Sequence, residues 1–432
     1  MASTGSSSSS ANRERDQAAS DSDLVVGIAT YNHARTAGRL VETIRAALTQ
    51  VAPSSRARIL VADGGSKDGT REWIREAASG DGDLVELSYA VQPGDVLDVP
   101  YHGLPGRARA LRVLLREAQA RKARACLVLD AFATAVEPDW IARLSDPIRD
   151  QDVDFIVPSY SRHPFEGALV HGAVYPMFRA LYGARLRSPM GSEFACSPRL
   201  IEAVLSDPIW ESESGQAGID LWMAATAVSG GFRIAQVPFG PKVTDERNEL
   251  DLSTTIVQVF GFLFSDMERR VQVWHRIRGS RLVTRFGEAP QDVPGQPEVD
   301  VERLAESFRL GCRELQGVWT EVLPPLATLQ WRRLAAARLE EFRVEDVLWA
   351  RTVYDFAMGH RLRVIARDHL LRSLAPLYLA WLASFVLELR HATPEAAEER
   401  IERLCLAFEA EKPYLISMWR WPERFRPVKI RR

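Results

Sequence analysis

The sequence predicts an α/β domain built on a parallel sheet, followed by a mostly helical domain. Three observations carry this expectation. Short apolar runs that end in polar clusters alternate with helix-periodic segments through the first half of the chain, as consecutive strand–loop–helix units do. A Pro/Gly-rich stretch, Gly287–Val299 (GEAPQDVPGQPEV), then interrupts the pattern, as linkers and loops do. Beyond Val301 almost every segment has helical spacing. At 432 residues the chain exceeds one ordinary core. The expected organisation is a disordered tail over 1–22, an α/β domain over 23–270, a linker over 271–300 and a helical domain over 301–432.

Taken in order, residues 1–20 (MASTGSSSSSANRERDQAAS) carry no secretory signal and are too polar to nucleate a core. Leu24–Ala29 (LVVGIA) reads as a buried strand that ends in Thr30-Tyr31-Asn32-His33. Over 36–50, Leu40, Ile44, Ala47 and Leu48 share one helix face. Ala57–Ala62 (ARILVA) is a second strand, closing on Asp63–Thr70 (DGGSKDGT), with a helix over 70–78. Val85–Val91 reads as a third strand and 105–121 as a helix rich in Arg, Ala and Leu. Ala125–Leu129 (ACLVL) is another buried strand, ending on Asp130, and Asp154–Val157 adds one more.

Thr254–Arg270 then reads as a long amphipathic helix. Helices follow at 301–317, 326–342, 345–364, 366–390 and 394–410, punctuated by Pro324-Pro325, Pro394 and Pro413. Ser373–Leu389 (SLAPLYLAWLASFVLEL) is the most apolar segment. It contains Pro376 and Glu388 and lies between Arg372 and Arg390, which suits a buried core helix better than a membrane span.

Composition excludes several classes. The chain is 46% hydrophobic and 26% charged with a formal charge of −2, so neither nucleic acid nor an anionic membrane is an expected partner. Cys126, Cys196, Cys312 and Cys405 form no CxxC pair. Reduced, buried thiols in a cytoplasmic protein are expected, with no disulfide framework or structural zinc. The absence of GxGxxG and GxxxxGK[ST] argues against a dinucleotide dehydrogenase and a P-loop NTPase.

Ligands of open α/β sheets bind beyond the carboxyl ends of the strands. Thr30–His33, Asp63–Thr70 and Asp130 all occupy such ends and converge if the sheet is continuous. A carboxylate at the Asp63 position can accept hydrogen bonds from a base imide or a ribose hydroxyl. The same octapeptide also reads as an Asx-type turn, with Ser66 or Asp68 capping the helix that follows.

Together, Gly27–His33 and Asp63–Thr70 resemble the opening of family-2-like glycosyltransferases of the GT-A fold, with their T-Y-N and D-G-S-x-D-G-T signatures. Pro105–Leu111 (PGRARAL) is similar to the P-G-K-G-x-A-L loop of retaining glucosylglycerate, mannosylglycerate and glucosyl-phosphoglycerate synthases. Val174–Gly183, Pro189–Phe194, Gly218–Met223, Trp349–Leu374 and Glu411–Trp421 resemble glucosylglycerate-synthase-like proteins. The resemblance implies a GT-A domain with a helical C-terminal domain. It implies that Thr30, Tyr31, Asn32 and Asp63 line the nucleoside pocket. Gly106, Arg107, Asp130 and Lys242 would stand at the diphosphate. Glu193 and Asp220 would meet the sugar and the acceptor hydroxyl, with Arg107 assisting catalysis.

Two departures stand against the pattern. The family's Asp-x-Asp, which holds a divalent cation, is here Asp130-Ala131-Phe132, and its later metal-binding His is Thr244 in Gly240–Asp245 (GPKVTD). A hard cation needs several oxygen ligands. Three outcomes are open: a weak Mg²⁺ or Mn²⁺ site on Asp130, Asp245 and water; neutralisation of the diphosphate by Arg107, Arg109, Arg187 or Lys242; or loss of transfer. Each of these cations also reads as an ordinary solvated charge, and Asp220 as a helix-start residue. His163 and His171 flank a Phe/Gly-rich loop near the expected substrate, although lone histidines are commonly structural. Trp349, Tyr354, Tyr378 and Trp381 recur at helical spacing and are expected in a core.

Two functional readings result. One is an enzyme moving a hexose from a nucleoside diphosphate sugar to a small hydroxylated acceptor such as glycerate, with retention. The other is a non-catalytic relative that binds nucleotide or serves as an interaction protein. The helical domain also offers a surface for homodimerisation.

Overall fold

A computed structural model describes residues 21–51, 56–78, 83–97, 101–133, 136–241, 252–288, 295 and 297–423. The 1–20 tail and the 242–251 segment, with Lys242, Thr244 and Asp245, lie outside the described residues.

The first half alternates strands and helices as the periodicity requires. β1 (Leu24–Thr30) leads to α1 (Ala37–Val51), β2 (Ala57–Asp63) to α2 (Thr70–Ala77), and β3 (Leu84–Ser88) to α3 (Arg107–Ala120). β4 (Ala125–Asp130), α4 (Asp139–Asp150) and β5 (Phe155–Ser161) follow. After a π-helical turn (Val170–Val174) come α5 (Tyr175–Tyr182), β6 (Ala184–Arg185), β7 (Phe194–Cys196) and α6 (Pro198–Leu205). Next are α7 (Glu213–Ser229), β8 (Ile234–Pro241) and α8 (Leu252–Arg269).

The sheet runs β10-β8-β5-β7-β4-β1-β2-β3, where β10 is the short strand Thr284–Arg285. All seven residues of β1 are buried because helices cover both faces. Leu24, Val26 and Ile28 point into one core, while Val25 and Ala29 point into the other. This alternation follows from the two-residue strand period.

The strands read from the sequence pair in parallel, and one further strand makes the sheet mixed. β7 is antiparallel to both β4 and β5, whereas β1, β2, β3, β4, β5 and β8 otherwise pair in parallel. At three residues β7 is too short for its periodicity to announce it. Within the stretch read as a linker, β9 (Arg281–Leu282) pairs with β6, and β10 (Thr284–Arg285) pairs with β8 at the sheet edge.

The C-terminal region is helical: α9 (Val301–Glu314), α10 (Gln316–Val322), α11 (Pro325–Ala336), α12 (Asp346–Leu362), α13 (Arg367–Leu389) and α14 (Pro394–Arg420). By length and composition α13 could cross a membrane, but 72% of its most apolar window is buried inside the molecule. It is a core helix. Trp349, Tyr354, Tyr378 and Trp381 are each buried there.

One apolar cluster runs from Val25 of the sheet layer to Trp419 of α14. Polar anchors accompany it. Arg179 of α5 is fully buried and pairs with Glu402 and Glu409 of α14. Trp349 donates its indole N–H to the Gly172 carbonyl at 2.7 Å.

Candidate active site

The site is assembled from the carboxyl ends of β1, β2 and β4. Parallel register places Thr30 beside Asp63, and the Thr30 hydroxyl donates to Asp63 Oδ2 at 2.9 Å. The two loops beyond are laced together. Asn32 N–H donates to Ser66 Oγ, Lys67 N–H to Asn32 Oδ1, His33 N–H to Thr70 Oγ1 and Ala34 N–H to Asp68 Oδ2, all within 2.7–2.9 Å. Asn32 takes a left-handed φ of 57°, which Asn tolerates better than most residues. Tyr31 is half-buried, and its N–H donates to His33 Nδ1 at 3.0 Å.

Asp63 itself is 7% exposed. Its Oδ1 accepts from Gly65 N–H and Ser66 N–H, and its Oδ2 also accepts from Ser66 Oγ. Asp68 accepts from the Thr70 hydroxyl and from the Thr70 and Ala34 N–H groups. These bonds hold its carboxyl below the usual range, outweighing the burial that raises it. The helix itself starts on Gly69 without a side-chain cap.

Tyr89 joins this lacework to the next loop, since its hydroxyl donates towards Thr30 O (3.3 Å) and Pro105 O (3.0 Å). A methyl group at Gly64 would come within 2.8 Å of that hydroxyl and 2.6 Å of Val91, so the loop requires glycine there. Gly106 caps α3 with a φ of 68°.

Arg107 opens α3 and is 2% exposed. Its Nε and Nη2 reach both oxygens of Asp220 at 2.7–3.0 Å, and Nη2 also donates to Ser192 O at 2.6 Å. Asp220 lies two residues past a non-helical kink at Gly218, where a Cβ would overlap the Phe262 ring at 2.0 Å. Burial pushes the Asp220 carboxyl up, with Asp130 and Glu193 pushing the same way, against the pull of Arg107. The opposite pull on Arg107 keeps its guanidinium charged. We regard the pair as ionised, because a bidentate fork at these distances fits only a carboxylate.

Antiparallel β7 completes the cluster. Val128 pairs with Phe194, so continuing the register two residues sets Ser192 opposite Asp130. Ser192 Oγ donates to Asp130 Oδ2 at 2.8 Å and lies 3.3 Å from Glu193 Oε2. Glu193 is 1% exposed. Burial, then Glu193 and Asp130, push the neighbouring Tyr160 phenol well above its ordinary value. Neither Ser192 nor Tyr160 stood out as a candidate in the sequence. Ser192 was visible only within the Pro189–Phe194 motif, and Tyr160 only as a strand residue.

The described residues do not fit a divalent cation. Asp130 Oδ1 accepts from Phe132 N–H at 3.1 Å, and the Phe132 ring packs edge-on against His33 at 4.3 Å. Among the described residues no three of His, Cys, Asp and Glu gather in a set able to hold a metal ion.

Two of the other expected cations have carboxylate partners, and Lys242 lies outside the described residues. Arg109 pairs with Asp95, and Arg187 with Glu398 of α14. His163 packs on Phe165, and its Nδ1 accepts from Phe165 N–H at 3.3 Å. His171 lies in the π-helical turn, where burial holds its imidazole well below the ordinary value, helped by Arg187 and Arg162.

Residues 25–190 match the family model described as "Glycosyl transferase family 2". No curated protein matches the chain. Similar solved structures include glucosyl-3-phosphoglycerate synthase from Mycobacterium tuberculosis in complex with Mn²⁺, uridine diphosphate and glucosyl-3-phosphoglycerate. It has 17% identity and a TM-score of 0.41 over 60% of this chain and 83% of that one. Mannosyl-3-phosphoglycerate synthase from Rubrobacter xylanophilus has 19% identity and a TM-score of 0.40 over 67% of this chain and 82% of that one.

Proposed function

We propose that the chain, which carries a family-2 glycosyltransferase domain of the GT-A fold, moves a hexose from a nucleoside diphosphate sugar to a small hydroxylated acceptor. The observation that carries this reading is the buried polar network at the strand ends: Arg107–Asp220, Ser192–Asp130 and Glu193, beside the laced loops of Thr30–Ala34 and Asp63–Thr70. A network of this kind is costly to bury unless fully paired.

In this reading the loops carrying Thr30, Tyr31, Asn32 and Asp63 receive the nucleoside. Gly106, Asp130 and Lys242 border the diphosphate. Glu193 and Asp220 face the hexose and acceptor, with Arg107 holding Asp220. Resemblance of the Pro105–Leu111 loop supports glycerate or phosphoglycerate as acceptor and retention at the anomeric carbon. The bond from that carbon to the diphosphate breaks, the acceptor oxygen takes its place, and the acceptor proton leaves. Positioning and fixed dipoles supply the catalysis. The composition and the four free cysteines, three of them buried, suit work in the cytoplasm.

A second reading, nucleotide binding without turnover, is favoured by the Phe132 ring on His33 and by the neutralisation of Arg107 by Asp220. One experiment separates the two. Purified chain is incubated with GDP-glucose, GDP-mannose or UDP-glucose and with glycerate or phosphoglycerate, with Mg²⁺, Mn²⁺ or EDTA, and nucleoside diphosphate release is measured. Release that depends on acceptor supports the transferase. Nucleotide binding by calorimetry with no release supports the second reading, and no binding sinks both.

A further inference from the structure

We infer that Asp63 is a positioning residue, which builds the nucleoside-facing loop with its carboxylate and does not hydrogen-bond the base. The inference rests on the nucleotide reading above and refines it. A carboxylate offers about four acceptor positions, and the loop itself fills them. Oδ1 accepts from Gly65 N–H and Ser66 N–H, both at 2.9 Å. Oδ2 accepts from Thr30 Oγ1 at 2.9 Å and from Ser66 Oγ at 2.6 Å.

A base N–H could reach Asp63 only by displacing one of these donors. Displacing a backbone donor would break one of the two part-buried N–H bonds that fix the turn on Asp63 Oδ1. Displacing the Ser66 hydroxyl would break a relay, because Ser66 Oγ accepts from Asn32 N–H while it donates to Asp63. The loop closes further through Lys67 N–H on Asn32 Oδ1 and Gly64 N–H on Thr30 O. Asp63 therefore acts through the backbone it shapes. The groups left for the nucleoside are the loop's outward surfaces around half-buried Tyr31 and exposed Asn32 and Lys67.

The test compares the full wild-type chain with Asp63→Ala and Asp63→Asn. The asparagine is chosen because its oxygen can keep both backbone bonds. Its amide can donate to the Thr30 and Ser66 hydroxyls, which rotate to accept, but that amide cannot accept from a base. Hydrogen exchange over 63–70 reads the loop, and calorimetric titration with GDP and UDP reads the site. Asp63→Ala is expected to lose exchange protection at Gly65 and Ser66 and to weaken nucleotide affinity about tenfold or more, with Asp63→Asn rescuing affinity to within about threefold at an unchanged GDP-to-UDP preference.

Unchanged protection in Asp63→Ala would overturn the inference. So would an asparagine variant that regains protection yet stays about tenfold weak or changes its base preference. If the wild type binds neither nucleotide, the nucleotide reading fails, and the exchange measurement still decides whether Asp63 builds the loop.

Discussion

Arg107 and Asp220 lie 113 residues apart and meet in a site from which both are almost fully excluded from solvent. Removing one partner of such a pair leaves a buried charge without compensation, which typically costs about 3–5 kcal/mol. Asp220→Ala should therefore unfold at distinctly lower denaturant concentration than wild type, and Arg107→Ala should do the same. The double substitution should cost less than the two singles added together, a coupling that urea unfolding of the four proteins measures. At the tip of β4 the side chain at issue is Phe132, which supplies a ring where a metal site needs an oxygen. Phe132→Asp combined with Thr244→His should strengthen Mn²⁺ binding over wild type in a calorimetric titration. Tight Mn²⁺ binding by the wild type, with turnover abolished by EDTA, would show that the β4 tip has been misread. The departures expected at Phe132 and Thr244 come from setting those residues against the family pattern that the chain resembles. The partner of Arg107 was not legible, since no local pattern joins a helix start to a carboxylate 113 residues away.

Elements were legible wherever their period was long enough to declare itself. β1, β2 and β4 and the helices α1, α2 and α3 fall within a residue or two of their predicted bounds, whereas α4 was not anticipated. Their fully buried runs and one-sided apolar stripes are local properties. β7 escaped because three residues carry no period, yet this strand brings Ser192 and Glu193 to Asp130. The course of α7 depends in a similar way on a kink inside it at Gly218, which turns the chain just before Asp220 and lets the Phe262 ring lie against the backbone. A methyl group there has no room without moving α8. Gly218→Ala should destabilise the protein by about 1–3 kcal/mol, as overpacking does. It should also reduce transfer or nucleotide binding by displacing Asp220. Chemical denaturation together with the donor-release assay checks both effects.

The sheet layer and the helical region share one apolar cluster, and charged side chains are buried where they meet. Arg179 reaches Glu402 and Glu409, while Lys412 of α14 donates to the carbonyls of Ala180 and Ile277. A continuous core should unfold as one cooperative unit, so calorimetry should show a single transition rather than two. Two resolved transitions would mean that the contact between layers is weaker than its burial implies. Burial pulls the Lys412 amine down to about 7, with Arg278 adding to the effect and Glu409 opposing it. Between that value and the ordinary lysine value the unfolded chain holds a proton that the folded chain has released, so stability should rise with pH across this window. Melting temperature should thus climb from about pH 6 to about pH 9 in wild type by more than in Lys412→Met. An equal rise in both proteins would remove Lys412 as the cause.

By itself the sequence determined the alternation of strands and helices, the burial of α13 and the polar character of the strand ends. Each of these depends on residue type or on spacing within a few turns of chain, and the physical rules at that range are local. Only the tertiary structure decided which polar groups satisfy one another. It tied Asp63 to its own loop, paired Arg107 with Asp220, set Ser192 against Asp130 and joined Arg179 to α14. A buried polar atom must find a partner wherever packing delivers one, and packing is settled by the whole chain at once.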